Sequence, residues 1–444
     1  MPALFRIKTP LKPSPWSISL LLVAGILLAP RPSFAEDCRS IIERLLTHSD
    51  KIEAAKADYR SGESGLEKAR SAWFPQVALN GEYGNDHEKV EMQTTNMVAR
   101  QLDVSITQPL WDMNKTNGNI DHAEALRQQL DVSLTKTRQD VILEGLQAYV
   151  DVIKARRTVA YAEQSVKNIR KQTGMEESRV EIGGGLPTDV LQAKSQLAGA
   201  QARLTRAQGS LAAALNRYRT IFKEEPPAEQ AMEEPALDLT QLPPDLEQAV
   251  RQAMDNSPEL RIAQYNVSIT TSDIDRTIGS ELGPQLSLVG DAKASRNMSG
   301  TVGGKQEQSI KLQFSLPFNT GLGGFAAVEA ARHTAAAASS RALDTRQQVE
   351  QQVRNAWQAY LTAKDNANYL RNQAHISAEF LRLAQQERVL GRRSLIDVLS
   401  GETSLINALS DAATAEADVI SASYSVLRLM GSLDPAVIRS HSSR

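Results

Sequence analysis

The residues best suited to chemistry are scattered along this chain. Histidine occurs at 48, 87, 122, 333, 375 and 441, and no two form a close pair at metal-ligand spacing. Cys38 is the sole cysteine, so no intrachain disulfide can form. Gly300 to Gln306 is glycine-rich, but a phosphate-cradling loop needs Gly at 299 and Ser or Thr at 306. Ser299 and Gln306 occupy those places. Gly183-Gly184-Gly185 and Gly321-Leu322-Gly323-Gly324 read more simply as turn and helix-start glycines. No nucleophile elbow or zinc-protease motif occurs, and the many Asp and Glu of helical stretches read as solvated faces. These residues predict no enzyme, no cofactor, no metal and no energy-coupling site.

If chemistry is sparse, the elements must carry the function. The chain has 444 residues and a formal net charge of −2, which gives no basic surface for nucleic acid. Aromatics are only 5% of residues, and small residues fill the apolar positions, which favours long helices packed closely. Residues 1–35 read as an export signal: a basic leader with Arg6, Lys8 and Lys12, an apolar run from Ile18 to Ala29, and a small-x-small cleavage site at Ser33-Phe34-Ala35. Ala35, Glu36 and Asp37 before Cys38 are unlike a lipoprotein signal, so Cys38 is expected to be an unmodified thiol. No other stretch could cross a bilayer as a helix, so any crossing must be made by strands of a closed barrel.

The chain is written twice. Thr107-Gln108-Pro109-Leu110 resembles Ser315-Leu316-Pro317-Phe318 at an offset of 208 residues, as Asp189-Val190-Leu191 resembles Asp397-Val398-Leu399. The halves are predicted at 36–222 and 246–433, separated by a Pro/Glu-rich linker or equatorial segment at 223–245 and followed by a tail at 434–444. Each half orders a helix, two strands, a very long helix, a glycine turn and a second long helix. In the second half, Val328, Ala331, Ala335, Ala338, Ala342, Thr345 and Val349 recur at alternating spacings of three and four, the seam of a coiled coil. The same stripe in the first half is broken only by Arg127. A helix from Asn114 to Ile182 would span roughly 100 Å. Val77, Leu79, Gly81 and Tyr83 alternate with polar residues, as do Leu102, Val104 and Ile106, Leu286, Leu288 and Gly290, and Ile310, Leu312, Phe314 and Leu316. One face of such strands is apolar and one wet, as in a membrane barrel. Four strands cannot close a barrel, so closure needs several chains. The polar segments Asn85–Met97 and Ala294–Gln308 are predicted as loops, and Pro75, Pro109, Pro284 and Pro317 as strand–helix junctions.

These features together resemble the TolC, or outer membrane efflux protein, family. The resemblance runs over Gln108-Pro109-Leu110-Trp111-Asp112, Asn256-Ser257-Pro258-Glu259-Leu260, and the turns Gly185–Val190 and Gly391–Leu399. It implies a mainly α fold with a small membrane β-barrel: a homotrimer with a twelve-stranded barrel, four strands per chain, over an α-helical barrel. It implies a passive duct in the bacterial outer membrane with its tunnel in the periplasm. Its partners would be outer-membrane lipid, a periplasmic adaptor and an inner-membrane ABC or proton-driven pump. Type I protein secretion is the expected use, with multidrug or small-molecule efflux as the alternative. A periplasmic coiled-coil adaptor or scaffold without a barrel is the alternative of another class. By the resemblance, Gly183, Gly185, Leu186, Gly391 and Ser394 form adaptor-docking tips. Asp397 matches an acidic aperture ring whose second position falls at Ser400. Arg393 matches a latch arginine, Thr188 and Asp189 match its partners, and Arg388 stands in place of the family's latch tyrosine, facing Asp189.

Overall fold

The computed structural model describes residues 37–440, except 91–92, 229–231, 238–241, 299–300 and 318–320. The expected export signal lies outside the described residues. Among the described residues the α-helices and strands follow in chain order as α1 (Cys38–His48), α2 (Asp50–Ser71), β1 (Gln76–Val90), β2 (Gln93–Trp111), α3 (Lys115–Glu181), α4 (Pro187–Phe222), β3 (Pro235–Leu237), α5 (Leu246–Asn256), α6 (Pro258–Glu281), β4 (Gln285–Met298), β5 (Thr301–Ser315), α7 (Gly323–Val389), α8 (Leu395–Leu429) and β6 (Ile438–Ser440). The helix starts Cys38 and Leu246, Asp50 and Pro258, Lys115 and Gly323, and Pro187 and Leu395 are each 208 residues apart. The helix expected to open each half is a pair of helices, broken at Ser49, which is extended in backbone, and at Ser257, which leaves the helical region at ψ 123°. Asn256–Leu260 therefore spans a helix-to-helix joint.

The long helices form because their seams are apolar at coiled-coil spacing. α3 and α7 have 67 residues each, or roughly 100 Å. Val328, Ala338, Val349, Val353, Tyr360, Ala367 and Ala374 are buried along α7. α2 lies along the first part of α3, where Tyr59 and Leu130 mark the contact. α4 lies along the second part, where Val166 and Ile169 meet Ala193 and Ala200. α8 pairs with the second part of α7 in the same way. Arg127, the one break in the stripe, is accommodated by Glu124 at 2.9 Å and by the Tyr59 hydroxyl at 3.2 Å.

The buried aromatics are concentrated midway along the long helices. Tyr149, Tyr218 and Tyr424 are fully buried there with Ile41, Ile42, Leu146 and Leu427. Cys38 belongs to this core and is 0% exposed, and burial pushes its thiol pKa up. The Pro/Glu-rich segment is not wholly irregular. β3 pairs antiparallel with β6, so part of the linker and part of the expected tail make a two-stranded ribbon beside this core.

β1, β2, β4 and β5 form one antiparallel sheet in that order. Two sequence expectations are corrected here. The segments Asn85–Met97 and Ala294–Gln308 are mostly strand: the ladders run to Val90 opposite Gln93 and to Met298 opposite Thr301. Backbone pairing needs no apolar face, so the ladder persists where side chains become polar on both sides. Pro109 lies inside β2 at a bulge, where a residue without an N–H costs no ladder bond. The switch from β2 to α3 follows through Met113 and Asn114, both in the left-handed region at φ 49° and 68°. Buried Asp112 then accepts from the Thr116 backbone N–H at 2.9 Å and from the Thr116 hydroxyl.

Candidate functional site

The sheet presents two chemically different faces. Val77 stands opposite Ile106, Leu79 opposite Val104 and Gly81 opposite Leu102. The register carries this face to Gly290, Ala292 and Ala294 on β4; on β5, Ile310, Leu312 and Phe314 stand opposite Gly290, Leu288 and Leu286, and Gln308 and Gln306 stand opposite Ala292 and Ala294. Val77, Leu79, Tyr83, Ile310, Leu312 and Phe314 are all exposed. An apolar patch this wide on a single chain marks a lipid or protein interface. From Leu286 to Ala294 the apolar face runs about 30 Å along the strand, or about 23 Å high at a tilt of about 40°. That height suits the apolar band of an outer-membrane barrel. On the opposite face one row reads Asn80, Asp103, Lys293 and Glu307 straight across all four strands. The Ser309 hydroxyl donates to Asp291 at 3.3 Å, and Lys311 lies 3.8 Å from the same carboxylate. The outer edges of β1 and β5 have no strand partner among the described residues.

At the other end of the long helices are two tips built alike. Gly183 ends the first with φ 80°, donating to the Val180 carbonyl at 3.0 Å while the Gly184 N–H reaches the Arg179 carbonyl at 2.9 Å. Gly391 ends the second with φ 73°, donating to the Arg388 carbonyl at 3.0 Å while the Arg392 N–H reaches the Glu387 carbonyl at 2.9 Å. This pair of bonds satisfies carbonyls that the helix end leaves open, and the left-handed residue it needs favours glycine. Pro187 opens α4 and Ser394 caps α8, its hydroxyl accepting from the Asp397 N–H at 3.3 Å. Ile182, Leu186, Val389 and Leu390 are exposed on the two tips. Gly185 sits against Val180 and Glu176.

Both tip arginines are engaged. The Arg388 guanidinium donates to Glu176 of α3 at 2.8 Å and to the Arg393 carbonyl at 3.2 Å. The Glu176 side chain is 5% exposed, so this pair is shielded from water. Within the chain, Arg388 thus meets Glu176 and not Asp189. Arg393 donates to Glu387 at 2.6 Å and lies 5.4 Å from the centroid of the Phe380 ring. Thr188 is exposed and Asp189 half-buried in the first turn of α4, while Asp397 is exposed in the first turn of α8. Each carboxylate is favoured there by the helix dipole. Ser400 is exposed one turn further on.

A second tie, not picked out from the sequence, lies further from the tip. The Asn168 amide donates to Glu402 at 2.8 Å, joining α3 to α8. Burial pushes the Glu402 carboxyl pKa up, and the Asn168 hydrogen bond opposes that shift. The signal was present. Glu176 continues the spacing of Val166, Ile169 and Thr173, and Glu402 that of Leu395 and Leu399, so both carboxylates fall on apolar seams. A polar residue at a seam position commonly fixes which helices pair and in what register. Among the described residues no cluster of side chains could hold a metal ion, and no helix is long and apolar enough to cross a membrane.

This architecture has relatives. Outer membrane efflux protein BepC of Brucella suis biovar 1 is 25% identical over 417 residues, 93% of this chain and 89% of the relative. Alkaline protease secretion protein AprF of Pseudomonas aeruginosa is 23% identical over 435 residues, 94% of this chain and 89% of the relative. The solved Campylobacter jejuni CmeC outer membrane channel superposes with a TM-score of 0.78 at 12% identity, over 90% of this chain and 88% of that one. The profile of outer membrane efflux proteins matches residues 41–222 and 249–432, one stretch in each half, and by that match the chain belongs to the outer membrane efflux protein family.

Proposed function

We propose that three copies of this chain close one twelve-stranded barrel and form a passive exit duct, with energy supplied by an inner-membrane pump through a periplasmic adaptor. As a member of its family, the chain is an outer-membrane export protein and not an enzyme. The observation that carries the trimeric reading is the sheet with two edges unpartnered among the described residues and an exposed apolar face, since lipid tolerates no open edge. The test is conductance of the purified protein in planar bilayers, with its mass in detergent. A monomer that forms no channel would overturn the duct.

For cargo, the reading supported best is type I protein secretion. A relative named for alkaline protease secretion covers almost the whole chain. Buried Cys38 could not carry an acyl anchor without leaving the core, which agrees with an unlipidated N-terminus. Small-molecule efflux is the second reading, favoured by the relative named an efflux protein. Deleting the chain from its host separates the two: loss of a secreted protein supports the first, and drug sensitivity with an unchanged secretome supports the second.

At the tips, Gly183, Gly185, Leu186, Gly391 and Ser394 are proposed to dock the adaptor, supported by the exposed Ile182, Leu186, Val389 and Leu390 around them. Arg388 and Arg393 are proposed to hold the entrance closed, with Thr188 and Asp189 as the partners of Arg393 on the neighbouring hairpin. Three copies of Asp397 would line the aperture, with one acidic ring and not two because Ser400 is neutral. Residues 1–35 are proposed to be the export signal. The two halves, 36–222 and 246–433, are proposed as repeats joined by 223–245, with 434–444 beyond them.

A further inference from the structure

Cross-strand register sets two arginines side by side on the membrane sheet. Arg100 of β2 stands directly opposite Arg296 of β4. Tyr83 of β1 flanks the first and Gly304 of β5 the second, so one row reads Tyr83, Arg100, Arg296 and Gly304 across all four strands. On the same face, the row before it holds Leu102 and Ala294. The arginines therefore stand about 7 Å past the last row of the apolar band. They lie toward the hairpin ends of the sheet, away from the helices.

Like charges directly opposite one another destabilise a ladder, and nothing in the chain relieves this pair. Both side chains are exposed, and among the described residues neither guanidinium makes a hydrogen bond or an ion pair. The register puts Glu82, Asp86, Asp103, Asp291 and Glu307 on the opposite, wet face. No carboxylate among the described residues of these strands shares the arginines' face. The far end of the band is built differently. There the row is Trp111, Leu286 and Phe314, with both aromatics exposed, as at a membrane interface. An arginine stem can lie along apolar surface while its charge sits at headgroup level. Its fork matches the oxygens of a phosphate.

Resting on the barrel reading above, we propose that Arg100 and Arg296 together bind the phosphate of an anionic lipid in the outer leaflet, one lipid per chain. The phosphate sits between the two guanidinia and accepts from both, so that two repelling charges share one anion. The acyl chains of that lipid lie along the apolar band over Leu102 and Ala294. Tyr83 bounds the site on the β1 side, and Gly304, with open space around it, leaves the β5 side clear for the headgroup.

The probe is diphosphorylated lipid A, titrated into the full-length assembled protein in detergent and counted by native mass spectrometry. The same glycolipid with its phosphates removed is titrated in a parallel arm. Wild type is expected to hold one phosphorylated lipid per chain and to bind the dephosphorylated form at least about tenfold more weakly. The Arg100→Gln/Arg296→Gln protein should lose the same factor for lipid A while eluting as wild type. Arg296→Gln alone removes one fork and should also weaken binding; it decides the matter if the double variant fails to assemble. Conductance in planar bilayers reads the duct separately. A wild type that conducts yet binds both glycolipids alike would overturn this proposal and leave the duct standing, as would undiminished lipid A binding by the arginine variants.

Discussion

Arg388, in the last turn of α7, and Arg393, in the turn that follows, meet different carboxylates, Glu176 on the other hairpin and Glu387 near the end of α7. Losing Arg388 leaves the buried Glu176 carboxylate with Arg179, 3.9 Å away, as its remaining charged partner among the described residues, a loss of up to about 3 kcal/mol for a buried pair. Losing Arg393 removes a half-exposed pair of smaller value. In planar bilayers, Arg388→Ser with Arg393→Ser should raise single-channel conductance; an unchanged value would remove these arginines from the gate. Glu176→Gln in the Arg388→Ser background should recover part of the thermal stability without restoring closure. Asp397→Ala should lower cation selectivity and leave the melting temperature nearly unchanged, since the side chain is exposed. Glu402 gives a pH signature. Its folded pKa lies above the unfolded value because of burial, so the folded state holds the proton more tightly. Stability then falls as pH rises from the unfolded pKa through the folded one, and the cost vanishes at lower pH. Glu402→Gln keeps an oxygen for Asn168 and cannot ionise. Its gain in melting temperature over wild type should be larger at about pH 8 than at about pH 4.

At the scale of elements, small residues set the fit. Ala408 is buried where α8 meets Ala374 of α7. Ala408→Leu forces methylenes into a closed seam and should cost about 1–3 kcal/mol in thermal or denaturant melts. Gly391 has open space around a Cβ but φ of 73°, so Gly391→Val strains only the turn. Export should weaken while the assembly survives, and normal export would count against docking at that tip. The long helices were legible almost to the residue: Asn114 to Ile182 was expected and Lys115–Glu181 is observed. Heptad spacing repeats so often in 67 residues that few alternatives remain. Strand ends were less legible, because the ladder beyond Tyr83 and Ala294 continues without an apolar face to announce it. The β3–β6 ribbon was illegible, since three residues pairing across some 200 positions leave no local pattern. The tip showed its glycines and arginines plainly. Which carboxylate each arginine meets depends on the rotation of α3 against α7, and spacing along one helix does not report that.

For the whole molecule, the membrane-facing side of the sheet should be intolerant of charge where the lumen side is not. Leu312 lies on the apolar face and Gln313 on the other. Leu312→Arg should reduce folding stability in lipid by about 2–4 kcal/mol near the bilayer centre, with Gln313→Arg close to neutral. Urea titration of liposome-inserted protein checks this pair, and equal losses would place the bilayer on neither face. The alanine seams also have a geometric consequence. Helices packed on small side chains stand about 8 Å apart, and on bulky ones about 10 Å. Twelve helices in one ring then enclose a circle of about 31 Å across in place of about 38 Å, measured between axes. The calibre of the proposed tunnel is therefore written in side-chain volume at Ala338, Ala367, Ala374, Ala408 and Ala412, so that a sibling with leucine at these seams would be a wider pipe made from the same number of staves.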